Sequence, residues 1–83
     1  MGEAVSKRAR RFYDRVRASK ANCDFADLRG LLEASGFSVR QPGRGGSHYV
    51  FKRGSLTITV PRAKPVKRHY VEAVLELIGE DRT

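Results

Sequence analysis

The sequence has no tryptophan, one methionine and one cysteine, and aromatic residues make up 8% of its 83 residues. A single cysteine, Cys23, excludes an intramolecular disulfide, and no other Cys or His stands near it at the spacing of metal ligands. No apolar run approaches the length of a membrane span or of a signal-peptide core. We therefore expect a small cytoplasmic domain with a modest core, in which Cys23 is structural.

Acidic residues are absent between Phe37 and His69. That segment holds eight basic residues, which are Arg40, Arg44, Lys52, Arg53, Arg62, Lys64, Lys67 and Arg68. The formal net charge of the whole chain is +8. A basic stripe of this kind favours an extended anionic partner, and we expect RNA, with an anionic membrane surface as the competing partner.

Apolar residues at helical spacing predict two helices in the first part of the chain. The first runs from about Glu3 to Ala18 and turns one apolar side inward, comprising Val5, Ala9, Phe12 and Val16. After a polar connector, Asp24 is expected to cap the second helix through its carboxylate to the Asp27 amide, and Gly36 to end it in the left-handed conformation. Its predicted buried stripe is Phe25, Leu28, Leu31 and Leu32.

Beyond Gly36 the period changes from helical to two, which predicts a three-stranded antiparallel meander. The strands are expected at Phe37–Arg40, Ser47–Arg53 and Leu56–Val60, with Gly54-Ser55 as a tight turn and Pro61 as the end of the third strand. Pro65 suits the first turn of a last helix that Gly79 would end. The inward side of that helix is expected to carry Val66, Tyr70, Val74, Leu77 and Ile78.

The predicted fold class is α+β, with a small three-stranded antiparallel sheet, helices on one of its faces and an extra N-terminal helix. Residues 1–22 form that helix and its connector, and residues 23–83 form the main domain. Because side chains alternate along a strand, Tyr49 and Phe51 pointing toward the helices would place His48 on the opposite, open face. There we expect it beside Thr57 or Thr59.

A titratable imidazole among cations suits the chemistry of phosphodiesters, because the cations hold phosphates while the imidazole transfers protons near neutral pH. The glycine-rich turn before His48 and the basic residues beyond the third strand are expected to position the phosphates. The predicted RNA-binding set is Arg44, Gly46, Ser47, Lys52, Arg62, Lys64, Lys67 and Arg68. From the residues alone, an exposed histidine that only touches phosphate is the simpler interpretation of His48.

The stretch from Phe25 to Ile78 resembles the HicA toxins of bacterial toxin–antitoxin pairs. The resemblance is carried in order by Asp27-Leu28-Arg29-Gly30-Leu31-Leu32, Gly36-Phe37, Gly46-Ser47-His48 with Val50-Phe51, and Thr59-Val60-Pro61-Arg62 before a last helix. Many family members carry a second histidine where this chain has Tyr49. The first helix is an addition to the minimal family domain.

The resemblance implies an α-β-β-β-α domain similar to the double-stranded RNA-binding fold over residues 23–83. It also implies a stress-response toxin that cleaves mRNA as an endoribonuclease without metal or cofactor and is neutralised by a HicB-like antitoxin. By motif position, His48 corresponds to the catalytic histidine of the family, which favours catalysis over simple phosphate contact. The alternative is a noncatalytic RNA-binding module that uses the same basic face.

Overall fold

The computed structural model describes residues 7–44 and 46–82, the last three of them by backbone alone. The elements in order are α1 (Lys7–Ala18), a 3-10 turn (Lys20–Asn22), α2 (Phe25–Ala34), β1 (Ser38–Arg40), β2 (His48–Arg53), β3 (Leu56–Pro61) and α3 (Arg68–Arg82). The predicted α+β class is confirmed. No helix in the described part of the chain is long and apolar enough to cross a bilayer.

The three strands form one antiparallel sheet in the order β1-β2-β3, so β2 is the central strand. Gly54, with φ of 60°, lies in the short turn between β2 and β3. The register pairs Val39 with Phe51 and Phe51 with Ile58, and these side chains lie on the face that the helices cover. The other side of the sheet, which we call the open face, carries Ser38, Arg40, His48, Val50, Lys52, Thr57, Thr59 and Pro61.

The hydrophobic core lies between the helix-side face of the sheet and the helices. Phe51 and Val60 from the sheet are completely buried there. The α2 contribution matches the predicted stripe at Leu28, Leu31 and Leu32. The core also contains Val16, Cys23, Phe37, Val66, Val71, Val74, Leu75 and Ile78.

Helix α1 packs mainly against α2. Ala9 and Val16 are fully buried and Phe12 is half-buried, as the periodicity predicts, while Val5 lies outside the described residues. The two helices approach closely at Gly30, where a Cβ atom would stand 2.7 Å from the ring of Phe12. A residue without a side chain at this point of α2 therefore permits the observed docking of α1.

The predicted bounds of the last helix were wrong at both ends. Pro65 lies three residues before α3, which begins at Arg68, and Gly79 lies inside the helix. Val66 is buried as predicted but outside the helix, where its amide donates a hydrogen bond of 2.9 Å to the Cys23 carbonyl. The inward side of α3 also includes two fully or nearly buried residues absent from the predicted stripe, Val71 and Leu75.

The termini of α2 follow the prediction in part. Gly36 has a φ of 96°, the left-handed conformation expected after the helix. Asp24 occupies the N-cap position, but its side chain makes no capping hydrogen bond. Its backbone carbonyl instead accepts hydrogen bonds from the amides of Asp27, at 3.1 Å, and Leu28, at 3.2 Å. The predicted carboxylate cap was therefore wrong, and the Asp24 side chain is exposed to solvent.

Candidate functional site

His48 is the first residue of β2 and is exposed on the open face. The chain reaches it through a turn in which the Gly46 amide donates a hydrogen bond of 3.0 Å to the Gly43 carbonyl. Directly before His48, the Ser47 carbonyl accepts a hydrogen bond of 2.6 Å from the amide of Arg62. The start of β2 is thus fixed to the end of β3, which gives the imidazole a defined backbone support.

The sheet register gives the immediate neighbours of His48. Its cross-strand partner is Pro61, and Thr59 and Val50 are the next residues on the same face of the two strands. Of the two neighbours predicted for His48, Thr59 lies diagonally across from it on the same face, whereas Thr57 lies further along β3 and pairs with Lys52. In the described part of the chain, the imidazole forms no hydrogen bond or ion pair, so its two nitrogens are available to a ligand.

The remaining cations of the open face, Lys52 and Arg40, lie at different distances from His48. Lys52 is four residues further along β2, which corresponds to about 13 Å of extended strand. It pairs with Ser38 of β1, and Arg40 pairs with Val50. Lys52 and Arg40 are both exposed and form a basic surface that can contact phosphates along a bound chain. Arg40 is a diagonal neighbour of His48, within reach of a long side chain, whereas Lys52 is too far away to contact the phosphate next to His48.

The loop between β1 and β2 supplies the other predicted groups near His48. Arg44, Gly46 and Ser47 are all exposed, in the seven-residue connection that leads to the imidazole. Gly45, which the sequence also suggested as a source of backbone amides, lies outside the described residues. The loop thus brings one cation and a polar hydroxyl to the same end of the sheet as His48.

Arg62 and Lys64 follow the end of β3 and line an open cleft of about 610 Å³ on the helix side of the sheet. The cleft is bounded by Asp24, Phe25, Ala26 and Arg29 of α2 and its N-terminus, by Tyr49, and by Arg62, Ala63 and Lys64. Arg62 directly follows Pro61, the cross-strand partner of His48. It therefore lies where the open face meets this cleft.

Lys67 and Arg68 are exposed but do not join His48 on the open face. The hydrogen bond from the Val66 amide to the Cys23 carbonyl places them beside the connector that precedes α2. Arg68 also forms an ion pair with Glu72 one turn along α3, with 3.0 Å between Nε and Oε2. These two residues can serve only a more distant part of a bound chain.

Arg53 belongs to the acid-free segment, but its side chain contacts the helix side of the fold and not the open face. It points to the helix side, where Nη1 donates a hydrogen bond of 2.7 Å to the Ser35 carbonyl at the end of α2. Its guanidinium carbon lies 4.9 Å from the centre of the Phe37 ring. The other histidine, His69, is exposed at the start of α3 and stands against Tyr70, with 4.1 Å between ring centres.

Sequence reasoning missed the helix-side wall of the cleft. The sequence pattern allows Tyr49 to stack on a base but favours a core position. In the structure Tyr49 packs against the core but is only half-buried, and it contacts both Phe25, at 4.8 Å between ring centres, and Arg29, whose guanidinium carbon lies 5.8 Å from the ring centre. Strand parity correctly places Tyr49 on the helix side. It does not reveal that the Tyr49 ring stays partly exposed in the cleft.

The described residues contain no cluster of three or more His, Cys, Asp or Glu side chains arranged to hold a metal ion. Comparisons of the chain with protein-family models, with curated proteins and with solved structures gave no significant match. The resemblance to HicA toxins therefore rests on the motif residues and their order.

Proposed function

We propose that this chain is a toxin-type endoribonuclease that cleaves mRNA through acid–base chemistry at His48. The observation that carries the proposal is the exposed imidazole of His48 on the open face, anchored by the backbone bond between Ser47 and Arg62 and close to a basic loop. The motif order shared with HicA toxins supports the same reaction, and the proposed site of action is the cytoplasm.

RNA cleavage of this kind requires two proton transfers at one phosphate. The ribose 2′-oxygen loses a proton as it attacks phosphorus, and the leaving 5′-oxygen gains one as its bond to phosphorus breaks. The neutral imidazole of His48 can accept the first proton, or its protonated form can donate the second. Arg44 lies four residues before His48, and the Arg62 amide donates its hydrogen bond to the Ser47 carbonyl directly before His48. These two cations are the groups that would stabilise the charge of the phosphorane.

The test is cleavage of an end-labelled single-stranded RNA by the wild-type chain and by His48→Ala, with EDTA present throughout. Because general acid–base assistance contributes about 10²- to 10⁴-fold, we expect the cleavage rate to fall by a factor in that range. The matched control is His69→Ala, which removes the other exposed histidine and should retain the wild-type rate. Equal cleavage by wild type and His48→Ala contradicts the proposal.

The second candidate is a noncatalytic RNA-binding module. It is favoured by one observation, which is that the sheet neighbours of His48 are Pro61, Thr59 and Val50, none of which titrates near neutral pH. Under this alternative, His48→Ala weakens RNA binding and no RNA is broken at any enzyme concentration. Salt dependence does not separate the two candidates, because both bind phosphates through the same cations.

A further inference from the structure

The cleft beside the N-terminus of α2 has the size and the chemistry of a nucleotide site. Its volume of about 610 Å³ falls within the range of small-molecule sites in proteins. Its lining includes two aromatic rings and three cations. This combination matches a nucleotide, which carries a flat base and a charged phosphate in one ligand.

The aromatic side of the cleft consists of Phe25 and Tyr49. Both rings are half-buried and contact each other with centres 4.8 Å apart and planes at 51°. The hydroxyl of Tyr49 forms no hydrogen bond within the described chain, so it is free to bind a polar edge. A nucleobase can therefore rest against this wall and gain the stacking energy that aromatic side chains give to single-stranded nucleic acids.

The cationic side consists of Arg29, Arg62 and Lys64. Arg29 is held in place by Glu33, with 3.1 Å between Nε and Oε2, and by its contact with the Tyr49 ring. Arg62 and Lys64 are exposed and form no ion pair with any described residue. Two of the three cations are thus available to a phosphate, and the exposed carboxylate of Asp24 makes the cleft a poor site for a bare anion.

The cleft and His48 lie at the same end of the sheet. Tyr49 directly follows His48 in β2 and points to the opposite face, while Arg62 directly follows its cross-strand partner Pro61. An RNA strand that passes over the ends of β2 and β3 would therefore lead from the open face into the cleft. Arg62, at the crossing point, can contact the phosphate between the two positions.

We propose that this cleft binds one nucleotide of the RNA strand, with its base against Phe25 and Tyr49 and its phosphate between Arg62 and Lys64. The inference rests on the proposed function for the identity of the chain that supplies the nucleotide. The nucleotide bound there is a neighbour of the one cleaved at His48. The cleft then selects where along an exposed strand the imidazole acts.

The test is a titration of the ¹⁵N-labelled wild-type chain with adenosine 5′-monophosphate, followed by amide NMR shifts. We expect saturable shifts at Phe25, Ala26, Tyr49 and Ala63. Ribose 5-phosphate, which lacks the base, and inorganic phosphate should each bind about tenfold more weakly, which corresponds to losing one good contact. Equal binding of the three compounds shows an anion site without base recognition and overturns the inference, as does the absence of shifts.

The cation requirement is tested with paired variants that remove the same charge. Arg62→Gln combined with Lys64→Gln should weaken binding of adenosine 5′-monophosphate by about tenfold. Arg40→Gln combined with Lys52→Gln removes two exposed cations from the open face and should leave it unchanged. All four residues are exposed or at the sheet surface, so both variants should fold. Equal losses in the two variants overturn the proposed site.

The outcomes separate this inference from the proposed function. His48→Ala should bind adenosine 5′-monophosphate as the wild type does while losing RNA cleavage. Cleavage that depends on His48 without nucleotide binding in the cleft rejects the cleft and keeps the enzyme. Nucleotide binding by a wild-type chain that breaks no RNA keeps a nucleotide site but removes its assignment to a cleaved strand, and so overturns the inference as stated.

Discussion

Cys23 is buried in the core, so the reactivity of its thiol reports on the packing of the folded chain. Its side chain is 1% exposed, and burial, followed by the nearby carboxylates of Asp27 and Asp24, raises the pKa of its thiol to about 11 from an ordinary value of 9.0. The thiolate is the reactive form of cysteine. We therefore expect a thiol reagent to label the folded chain at about pH 8 only as fast as the chain unfolds.

The labelling is measured with and without urea. Fast labelling in the absence of urea would show that Cys23 is accessible in the folded chain, which contradicts the packing. Exposed thiols of a denatured sample serve as the reference for full reactivity.

The same pKa shift predicts a dependence of stability on pH. A thiol whose folded pKa lies above its unfolded pKa contributes stability that is complete below about pH 9 and is lost as pH rises toward about 11. The contribution is at most about 3 kcal/mol. The difference in unfolding free energy between wild type and Cys23→Ala should shrink across this window, and a constant or growing difference would contradict it.

For single residues, the sequence predicted the face of a strand correctly but did not predict a side-chain hydrogen bond. Strand alternation placed His48 and Phe51 on the correct faces, because the period of two is strict wherever one face is buried. The role of the Asp24 carboxylate was not predictable in the same way. A cap depends on one side-chain rotamer, and the residue type permits the bond without requiring it.

At the scale of elements, the docking of α1 onto α2 depends on Gly30. Alanine gains about 1 kcal/mol over glycine inside a helix, whereas overpacking costs about 1–3 kcal/mol. Since a Cβ atom at position 30 would stand 2.7 Å from the Phe12 ring, we expect Gly30→Ala to destabilise the chain by about 1 kcal/mol. The measurement is urea unfolding monitored by circular dichroism.

The same substitution in a Phe12→Ala chain tests whether its effect comes from the contact with the Phe12 ring. In Phe12→Ala the ring is gone, so Gly30→Ala should become stabilising by up to about 1 kcal/mol. Destabilisation of the same size in both backgrounds would mean that the glycine matters for another reason than the approach of α1.

The ends of a helix or strand were predictable where the change in side-chain period and a turn residue indicate the same position. The strands and α2 fall within one or two residues of their predicted bounds, because Gly36 and Gly54 occupy turns that need a positive φ. The last helix was misplaced, since Pro65 and Gly79 permit a helix start and end without dictating them. The bond between Val66 and Cys23, which is a tertiary contact, holds the segment before α3 out of the helix.

At the scale of the whole molecule, the two proposed binding regions meet at one end of the sheet. The sequence alone could not predict that the cleft lies next to the open face. Tyr49 and Arg29, which line the cleft, are 20 residues apart and meet only in the folded chain. The acid-free segment from Phe37 to His69 predicted a basic surface, but not that its cations would be divided between the two faces of the sheet. A protein bound at that end of the sheet would cover both regions.

An antitoxin that neutralises the proposed enzyme is expected to cover that end of the sheet with acidic groups. We predict that a complex with a HicB-like partner protects His48 from modification by diethyl pyrocarbonate. The measurement is mass spectrometry of the modified chain, free and in complex, with the unfolded chain as the reference for full reaction. Modification of His48 at the same rate in the complex as in the free chain would contradict this mode of inhibition.

If the imidazole of His48 moves a proton during RNA cleavage, free imidazole should restore the reaction to a chain that lacks this side chain. The rate of cleavage of one labelled RNA is measured with His48→Ala in EDTA as free imidazole is added. We expect little cleavage without imidazole and a rate that rises with imidazole concentration, while His69→Ala needs no rescue. Wild-type cleavage by His48→Ala before any imidazole is added would rule out proton transfer by His48.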